Sequence, residues 1–389
     1  MFYLKEQRNI IRMLFPDSGE YDAPLESLGT FFEKEILPDA KNVDQKEIFP
    51  RHNLEKLAEK GVMAFPFPRE LNGLGLPYPV YIAALEMLAK ACANTALQVD
   101  VQNMVCEGIR LFGDDRQKNE FLVNIGLVEG KKLVAFALTE SCCGSDAKAI
   151  QTKAVLSGDA YILNGSKTLI TNPGEANIVL VIARTGEELS AFLVPRETPG
   201  FEVTGVIPKL GFRGNRLSSI RLKNCAVPRG NLLGGAGKGL ECVKQILNAG
   251  RLSIAAIAVG IAQAAYEKAL LYSKKRKVFG ESIANFQMIQ AKLADMVTEI
   301  NAARLLTYYA ATLRERGEEF VSEISQAKLF SAEMALRVCD HAIQIHGGYG
   351  YTDGFDVHRH WRDARLLTIG EGTSDILRLL IAHRALRNI

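Results

Sequence analysis

The apolar residues of this 389-residue chain change their spacing twice, and this order constrains the fold more than any other feature. They first recur at helical spacing, then form short runs between turn-forming clusters, and finally return to long helical patterns. A chain of this length also exceeds one ordinary core. We therefore predict an α+β protein, mostly α, with a helical domain at residues 1–134, a β-domain at 135–237 and a helical domain at 238–389.

Local signals refine this division. Apolar residues from 25 to 36 recur at helical spacing, and Pro38 is expected to end that helix. Residues 66–79 are rich in proline and glycine and predict a loop, after which the helical pattern resumes from Tyr81 to Cys106. In the β-region, the dipeptide Asn164-Gly165 predicts a hairpin turn.

Composition excludes several classes of partner. The 47 basic and 44 acidic side chains leave a net charge of +3, which provides no basic footprint for nucleic acid or an anionic membrane. The longest apolar segment, Leu252 to Leu271, is interrupted by Gln263, Glu267 and Lys268. It therefore predicts a buried amphipathic helix and no membrane span.

The N-terminus and the cysteines bear on location. The first residues lack the apolar core of a signal peptide, and the seven cysteines are scattered and odd in number. We expect a cytoplasmic protein, with the mitochondrial matrix after removal of a transit peptide as the alternative. We expect no metal site, and we expect Cys142-Cys143 to be a pair of small buried residues.

One carboxylate near the C-terminus has the setting of a general base. Glu371 follows an apolar run, and Gly372 then turns the chain into a polar cluster and an amphipathic tail. Desolvation among apolar neighbours raises the pKa of a carboxyl group, which suits a base that works near neutral pH. The alternative is a plain turn before a last helix, with Thr373 or Ser374 as its N-cap.

Three further segments carry polar or glycine-rich turns, and each alone is better explained as an ordinary loop. A strand-ending turn rich in hydroxyls can hydrogen-bond a flat heterocycle or a pyrophosphate, and glycines indicate close backbone approach. The segments are Thr139-Glu140 with Gly144-Ser145-Asp146, Arg276 with Phe279-Gly280, and Gln344 with Gly347-Gly348-Tyr349-Gly350-Tyr351.

These four segments, in this order, resemble the acyl-CoA dehydrogenase family of flavoproteins over nearly the whole chain, from about Leu25 to Leu386. The resemblance implies an N-terminal helical domain, a middle β-barrel-like domain and a C-terminal four-helix bundle. It also implies a homotetramer, built as a dimer of dimers, and FAD bound between the β-domain and the bundle, with the adenine half touching a neighbouring subunit.

The resemblance assigns roles residue by residue. Glu371 matches the catalytic base, and Arg276 matches a clamp on the pyrophosphate of the neighbour's FAD. The residues at cofactor-contact positions are Phe136, Leu138, Thr139, Gly144, Ser145, Leu169, Thr171, Arg276, Phe279, Gln287, Gln344, Gly347, Gly348, Thr373 and Asp375. The residues at substrate positions are Ser145, Arg251, Gly370 and Gly372.

The implied chemistry is the α,β-dehydrogenation of an acyl thioester carried on coenzyme A or a carrier protein. Glu371 takes the α-proton and the flavin takes the β-hydride. The thioester carbonyl is held by the backbone N–H of the glutamate and a flavin ribityl hydroxyl, which together stabilise the developing charge. Electrons then pass to an electron-transfer flavoprotein.

Departures from the family pattern point to a modified pocket. Gly370 replaces an aromatic residue found in many members and should widen the space beside the reacting carbons. Leu169 replaces a tryptophan that flanks the flavin. Gly250 stands where some members carry their base, which favours Glu371.

These departures leave alternatives open. A biosynthetic oxidase acting on a carrier protein and an enoyl-thioester reductase are alternatives within the enzyme class. A flavin-binding scaffold without catalysis is the alternative from another class, although it would have no need for a base at the turn.

Overall fold

Seven helices form the N-terminal region of the computed structural model, which describes residues 2–387. Short π-helical segments at Phe32–Ile36 and Lys118–Asn124 extend two of them. The helices are α1 (Phe2–Leu14), α2 (Asp22–Phe31), α3 (Ala40–Gln45), α4 (Arg51–Glu59), α5 (Tyr78–Ala91), α6 (Ala93–Phe112) and α7 (Asp115–Gln117).

One boundary agrees with the sequence-based expectation and one differs from it. The helix predicted to end at Pro38 does end there, because its last π-helical residue is Ile36 and Pro38 lies in a separate 3-10 turn at Leu37–Asp39 that leads into α3. Proline is tolerated there since the first residues of a helical turn have no intrahelical partner for their N–H groups. The predicted helical stretch from Tyr81 to Cys106 is divided at Cys92, whose extended backbone separates α5 from α6.

The middle region is a mixed eight-stranded sheet. The strand order is β6-β7-β3-β2-β4-β5-β8, and β1 pairs in parallel with β4. The strands are β1 (Val134–Ala137), β2 (Lys153–Ser157), β3 (Ala160–Thr171), β4 (Ile178–Thr185), β5 (Glu188–Pro195), β6 (Phe201–Val206), β7 (Leu217–Pro228) and β8 (Leu232–Leu233).

The hairpin predicted at Asn164-Gly165 is wrong, because both residues lie inside β3. The turn between β2 and β3 is instead at Gly158, whose φ is +59°. Gly165 marks a β-bulge with φ +151°, and a Cβ there would lie 2.5 Å from Thr152 Oγ1. Close approach of neighbouring chain therefore explains the glycine.

The C-terminal region is a bundle around one long helix. It contains α8 (Gly239–Lys275), α9 (Gln287–Glu315), α10 (Val321–His346), α11 (Val357–Leu367) and α12 (Ser374–Arg387), with a short hairpin of β9 (Lys277–Val278) and β10 (Glu281–Ser282). Among the described residues, α8 is the one helix long and apolar enough to cross a membrane. Since 89% of its most apolar window is buried by neighbouring elements, it has the character of a core helix.

Buried polar contacts fix the β-domain against both helical regions. Asn172 donates to Gln98 Oε1 on α6 at 2.7 Å, and Asn215 donates to the backbone oxygen of Asn94 at 2.8 Å. On the other side, Phe212 N donates to Asp363 on α11. Because α11 leads directly into the turn that carries Glu371, this last contact sets the position of that turn relative to the sheet.

Candidate active site

Residues 368–373, here called the base turn, connect α11 to α12 and hold Glu371 in a strained conformation. The φ angle of Glu371 is +56°, in the left-handed region that costs a non-glycine residue about 1–3 kcal/mol. Lys328 Nζ donates to Gly372 O at 2.7 Å and Arg251 Nε donates to Glu371 O at 3.2 Å. Two buried cations, one from α10 and one from α8, therefore hold the turn in this shape.

The carboxylate of Glu371 lies directly over bare backbone of α8. A Cβ at Gly250 would lie 2.2 Å from Glu371 Oε2 and 2.7 Å from its carboxyl carbon. No side chain fits there while Glu371 keeps this position. The two positions at which the resemblance places a base are thus mutually exclusive in this chain, which supports the prediction that Glu371 fills the role.

Burial raises the pKa of Glu371, although a side-chain interaction with Asp100 and the charges of Lys328 and Arg251 act in the opposite direction. Its Oε2 atom is fully buried and has no hydrogen-bond partner among the described residues. Burial also lowers the pKa of Lys328 to about 8. A carboxylate with one unpartnered buried oxygen is arranged to accept a proton from a bound molecule.

The backbone of the base turn also offers a donor. No hydrogen bond joins the N–H of Glu371 to any other residue in the described part of the chain. A free N–H beside a base can stabilise negative charge that develops on a substrate oxygen. The turn therefore presents a proton acceptor and a hydrogen-bond donor from one residue.

The alternative interpretation of this segment as a helix start with Thr373 as the N-cap is confirmed. Thr373 Oγ1 accepts a hydrogen bond from Ile376 N at 3.2 Å, which caps α12. Asp375 is exposed in the first turn of that helix, and Ser374 Oγ is buried without a partner among the described residues. Capping and catalysis are compatible because they use different residues of the same turn.

Two of the predicted flavin-contact segments meet at the C-terminal end of β3, an interior strand of the sheet. Thr168 N donates to Thr139 O at 2.9 Å, and Lys167 Nζ donates to Leu138 O at 3.0 Å. Leu169 follows at a bulge in β3 with φ +56° and is 53% exposed. This exposed apolar side chain and the strand-ending turn form a surface suited to a flat ring.

The other predicted flavin-contact residues near the end of β3 differ in their exposure to solvent. Phe136, Leu138, Thr139 and Thr171 are half-buried, whereas Gly144 and Ser145 are exposed. The prediction for the adjacent cysteines is wrong in part, because Cys143 is buried but Cys142 is exposed. Their sulfur atoms lie 3.4 Å apart as free thiols.

The role of Glu140 was not predicted from the sequence, although the residue lies in one of the motifs. Its carboxylate is buried and accepts from Lys167 Nζ at 2.8 Å, Thr152 Oγ1 at 2.6 Å and Gln151 N at 2.7 Å. Burial opposes ionisation, but these hydrogen bonds outweigh it and hold the pKa of Glu140 below its ordinary value. Glu140 and Lys167 thus tie the strand-ending turn to β3, a long-range pairing that no local pattern reveals.

The other predicted cofactor residues lie at the far end of α8. A groove of about 620 Å³, here called the distal groove, is lined by Arg276, Phe279, Gly347 and Gly348 together with Tyr349 and neighbouring apolar side chains. Phe279 is 96% exposed with φ +53°, and the Arg276 guanidinium lies 5.9 Å from the centre of the Tyr349 ring.

The backbone of the distal groove is open. Gly347 has φ +60°, and a Cβ at Gly347 or Gly348 would meet no atom within 4 Å. The glycines therefore leave room for another molecule to approach the backbone. Gln287 and Gln344 are exposed and adjoin the lining residues Phe286 and Ile345 in sequence, but they are not themselves part of the lining.

The base turn and the distal groove are far apart within one chain. Arg251 contacts the base turn, whereas Arg276 lines the groove and caps the C-terminal end of the same helix. At 1.5 Å per residue, this separation is about 37 Å along α8. The predicted residues therefore form separate groups within one chain, one at the base turn and one at the distal groove.

Three parts of the sequence match the models of the three domains of one protein family. They are the N-terminal domain of acyl-CoA dehydrogenase at residues 18–128, the middle domain at 135–225 and the C-terminal domain at 237–386. The chain belongs to the acyl-CoA dehydrogenase family. This confirms the predicted fold class and the prediction of a flavin oxidoreductase that acts on a CH–CH group.

Three relatives illustrate the range of the family. The probable acyl-CoA dehydrogenase YngJ of Bacillus subtilis is 44% identical over 382 residues, covering 96% of this chain and all of the relative. The 3-(aryl)acrylate reductase of Clostridium sporogenes is 37% identical, covering 99% of this chain and all of the relative. The structure of butyryl-CoA dehydrogenase from Megasphaera elsdenii has a TM-score of 0.90 and 37% identity, covering 93% of this chain and 97% of that one.

Proposed function

We propose that this acyl-CoA dehydrogenase family member catalyses the FAD-dependent α,β-dehydrogenation of an acyl thioester, with Glu371 as the general base. The observation that carries the proposal is the carboxylate of Glu371. One of its oxygens is buried without a partner among the described residues, and it lies against Gly250 in a strained turn that two cations hold.

The base turn performs two tasks in this mechanism. Glu371 accepts the α-proton, and its raised pKa matches a base working near neutral pH. Its free N–H donates to the thioester oxygen, where charge develops as the proton leaves. Bound flavin supplies the acceptor for the β-hydride.

The residues present fit FAD in two places. The C-terminal end of β3 offers Leu169 and the turn at Thr139 to a flat ring. The distal groove offers Arg276 to a pyrophosphate with open glycine backbone beside it. The groove and the base turn are about 37 Å apart along α8, too far for one dinucleotide to contact both in one chain.

The separation supports assembly of the cofactor site across subunits. In this proposal Arg276 and Phe279 of one subunit hold the adenine-side half of FAD bound at the next subunit's sheet. Such a site is incomplete in one chain, so the protein functions as an oligomer, a homotetramer arranged as a dimer of dimers. An electron-transfer flavoprotein receives the electrons.

A second candidate direction is reduction of an α,β-unsaturated acyl group. The similarity to 3-(aryl)acrylate reductase over 99% of this chain favours it, and Leu169 opens the flavin-facing surface. The same base turn serves either direction, because microscopic reversibility makes Glu371 a proton donor in reduction.

Glu371→Gln tests the role of the base. Glutamine keeps the size and hydrogen-bonding reach of the side chain but cannot accept the α-proton. We expect normal FAD content and a loss of at least about a hundredfold in the rate of flavin bleaching by acyl-CoA, since general bases contribute about 10²–10⁴-fold.

The matched control is Glu319→Gln, because Glu319 is an exposed glutamate that pairs with Arg384 at the protein surface. It should bleach at the parent rate. If Glu371→Gln bleaches at the parent rate with full FAD content, Glu371 is not the base and the proposed function fails.

A further inference from the structure

Four polar side chains, here called the polar patch, lie next to the base turn on three different helices. They are Tyr81 on α5, Asp100 and Asn103 on α6, and Ser253 on α8. All are nearly or fully buried, with exposures of 1%, 0%, 5% and 3%. None of them belongs to the motifs that define the family resemblance.

Helix geometry places the polar patch beside Glu371. A Cβ at Gly250 would lie 2.2 Å from Glu371 Oε2. Ser253 follows Gly250 by three residues and lies on the same face of α8. Asp100 and Asn103 share a face of α6 by the same spacing. The carboxyl groups of Asp100 and Glu371 are close enough that the charge of Glu371 raises the pKa of Asp100, in addition to the larger effect of burial.

Most polar atoms of this patch lack a hydrogen bond of good geometry. Ser253 Oγ donates to Ala249 O at 3.4 Å. Side-chain interactions link Asp100 to Glu371 and Ser253, and Tyr81 to Ser253 and Asn103. Even so, Tyr81 Oη, both carboxyl oxygens of Asp100 and both polar atoms of the Asn103 amide are buried and make no hydrogen bond of good geometry among the described residues. Glu371 Oε2 is in the same state. Buried polar groups are normally satisfied, and each one left unsatisfied costs about 1–3 kcal/mol. A concentration of them at one place indicates a ligand that completes their hydrogen bonds.

The protonation and hydrogen-bonding capacity of these groups indicate which chemical class of ligand fits the patch. Burial raises the pKa of both Tyr81 and Asp100, so both favour their neutral forms and can donate as well as accept. The amide of Asn103 does the same. The nearby cations, Arg251 and Lys328, donate to the backbone oxygens of Glu371 and Gly372, and no hydrogen bond joins either of them to a side chain of the patch within the described part of the chain. The patch therefore suits an uncharged polar group better than a carboxylate.

We infer that the polar patch is a specificity site for an acyl thioester whose chain carries an uncharged hydrogen-bonding substituent, such as a hydroxyl group, beyond the reacting carbons. This inference rests on the proposed function, because it places the acyl chain beside Glu371. Asp100 and Tyr81 bind the substituent directly, and Asn103 and Ser253 complete the surrounding hydrogen bonds.

The test compares acyl thioesters of equal size. Pentanoyl-CoA and 4-hydroxybutanoyl-CoA differ only by methyl and hydroxyl at the chain end, as do hexanoyl-CoA and 5-hydroxypentanoyl-CoA. Anaerobic stopped-flow bleaching of the FAD-loaded enzyme gives a reduction efficiency for each. An apolar pocket would favour the methyl member, because burial of an unpaired hydroxyl is costly.

We expect the parent enzyme to favour the hydroxyl member of at least one pair by about tenfold or more. Asp100→Leu removes the carboxyl group at similar size, and Tyr81→Phe removes one hydroxyl with the least structural change. Each should lower the hydroxyl-to-methyl ratio by about tenfold. Ile109→Val is the control, because Ile109 packs in an apolar cluster on α6, nine residues from Asp100 and on another face of the helix, and should leave the ratio unchanged.

The outcomes separate this inference from the proposed function. If both members of each pair bleach the flavin and neither variant changes their ratio, the specificity site is wrong while the dehydrogenase remains. An equal loss for both members would mean that Asp100 acts on Glu371 instead of the acyl chain, and it also overturns the inference. If no thioester bleaches the flavin, both proposals fail.

Discussion

The base turn and the distal groove are both assigned to one reaction, yet they are constructed in opposite ways. Around Glu371, contacts come from within the chain: Lys328 and Arg251 hold the backbone, and α8 supports the carboxylate. In the distal groove, Phe279 is 96% exposed, and the glycine positions face open space. One site is preorganised by the fold, whereas the other has surfaces that nothing in the described chain covers.

This contrast has a physical consequence for each region. Backbone strain at Glu371 persists only because several neighbours enforce it, so small changes there should damage chemistry without removing the cofactor. The groove makes few internal contacts, so changes there should weaken cofactor retention and leave the chemistry of the loaded enzyme intact. Variants in the two regions should therefore fail different assays.

The largest effect is expected for Gly250→Ala. The added methyl group would lie 2.2 Å from Glu371 Oε2, and the carboxylate must move to make room. A displacement of about 1 Å at a reacting group can cost about a hundredfold in rate, so we expect flavin bleaching to slow by at least that factor. Stopped-flow bleaching and the flavin absorbance of the purified protein measure rate and FAD content.

Lys244→Ala is the control on the exposed surface of α8 and should behave as the parent. Loss of FAD from Gly250→Ala, with a normal rate for the fraction that retains it, would contradict the separation of roles. It would show that the base turn supports cofactor binding more than proton transfer.

A smaller effect is expected for Arg276→Ala, and it should appear in a different assay. A hydrogen bond to a charged group contributes about 1.5–3 kcal/mol, so the dissociation constant for FAD should rise by about 10- to 100-fold. Equilibrium dialysis or flavin fluorescence on dilution measures it. The rate of bleaching in excess FAD should stay near the parent value.

Lys274→Ala is the matched control, because Lys274 is an exposed cation two residues away that does not line the groove. Equal FAD retention by Arg276→Ala and the parent at every protein concentration would argue against a clamp on the neighbour's cofactor.

More of the base turn than of the distal groove could be predicted from the sequence. Glu371, Gly370 and Gly372 are contiguous, and their geometry follows from one local turn. The meeting of Arg276 and Phe279 with Gly347 and Gly348 was implied only by the family resemblance, because about seventy residues separate the two pairs. Local patterns carry no information on contacts at that separation.

Other features could not be predicted because they depend on packing between distant elements. Asp100 lies inside an otherwise ordinary helical pattern, and only the arrangement of α6 beside α8 reveals that it faces Glu371. Glu140 fixes the strand-ending turn only because Lys167 of β3 pairs with its carboxylate. The wrong hairpin at Asn164-Gly165 has a similar origin, since tertiary contact with Thr152 overrides a strong local turn signal.

The smallest effect concerns Gly370, where the expected change is in selectivity and not in overall rate. We predict that Gly370→Tyr fills space beside the reacting carbons and disfavours branched thioesters relative to straight ones by about 1–3 kcal/mol. The competing explanation was backbone strain, which would slow all substrates alike. The structure excludes backbone strain as the explanation, because Gly370 is not among the residues with positive φ.

Local space also permits this substitution. A Cβ at Gly370 would meet Leu366 O at 3.7 Å and the Leu366 side chain at 3.8 Å, which are ordinary contacts. The positive φ belongs instead to Glu371 and Gly372, so the new ring should leave the base in place. Bleaching efficiencies for butanoyl-CoA and 2-methylbutanoyl-CoA give the ratio directly. An unchanged ratio, with either a normal or a uniformly lower rate, would show that the ring does not reach the acyl group and that the base turn is separated from the pocket at this residue.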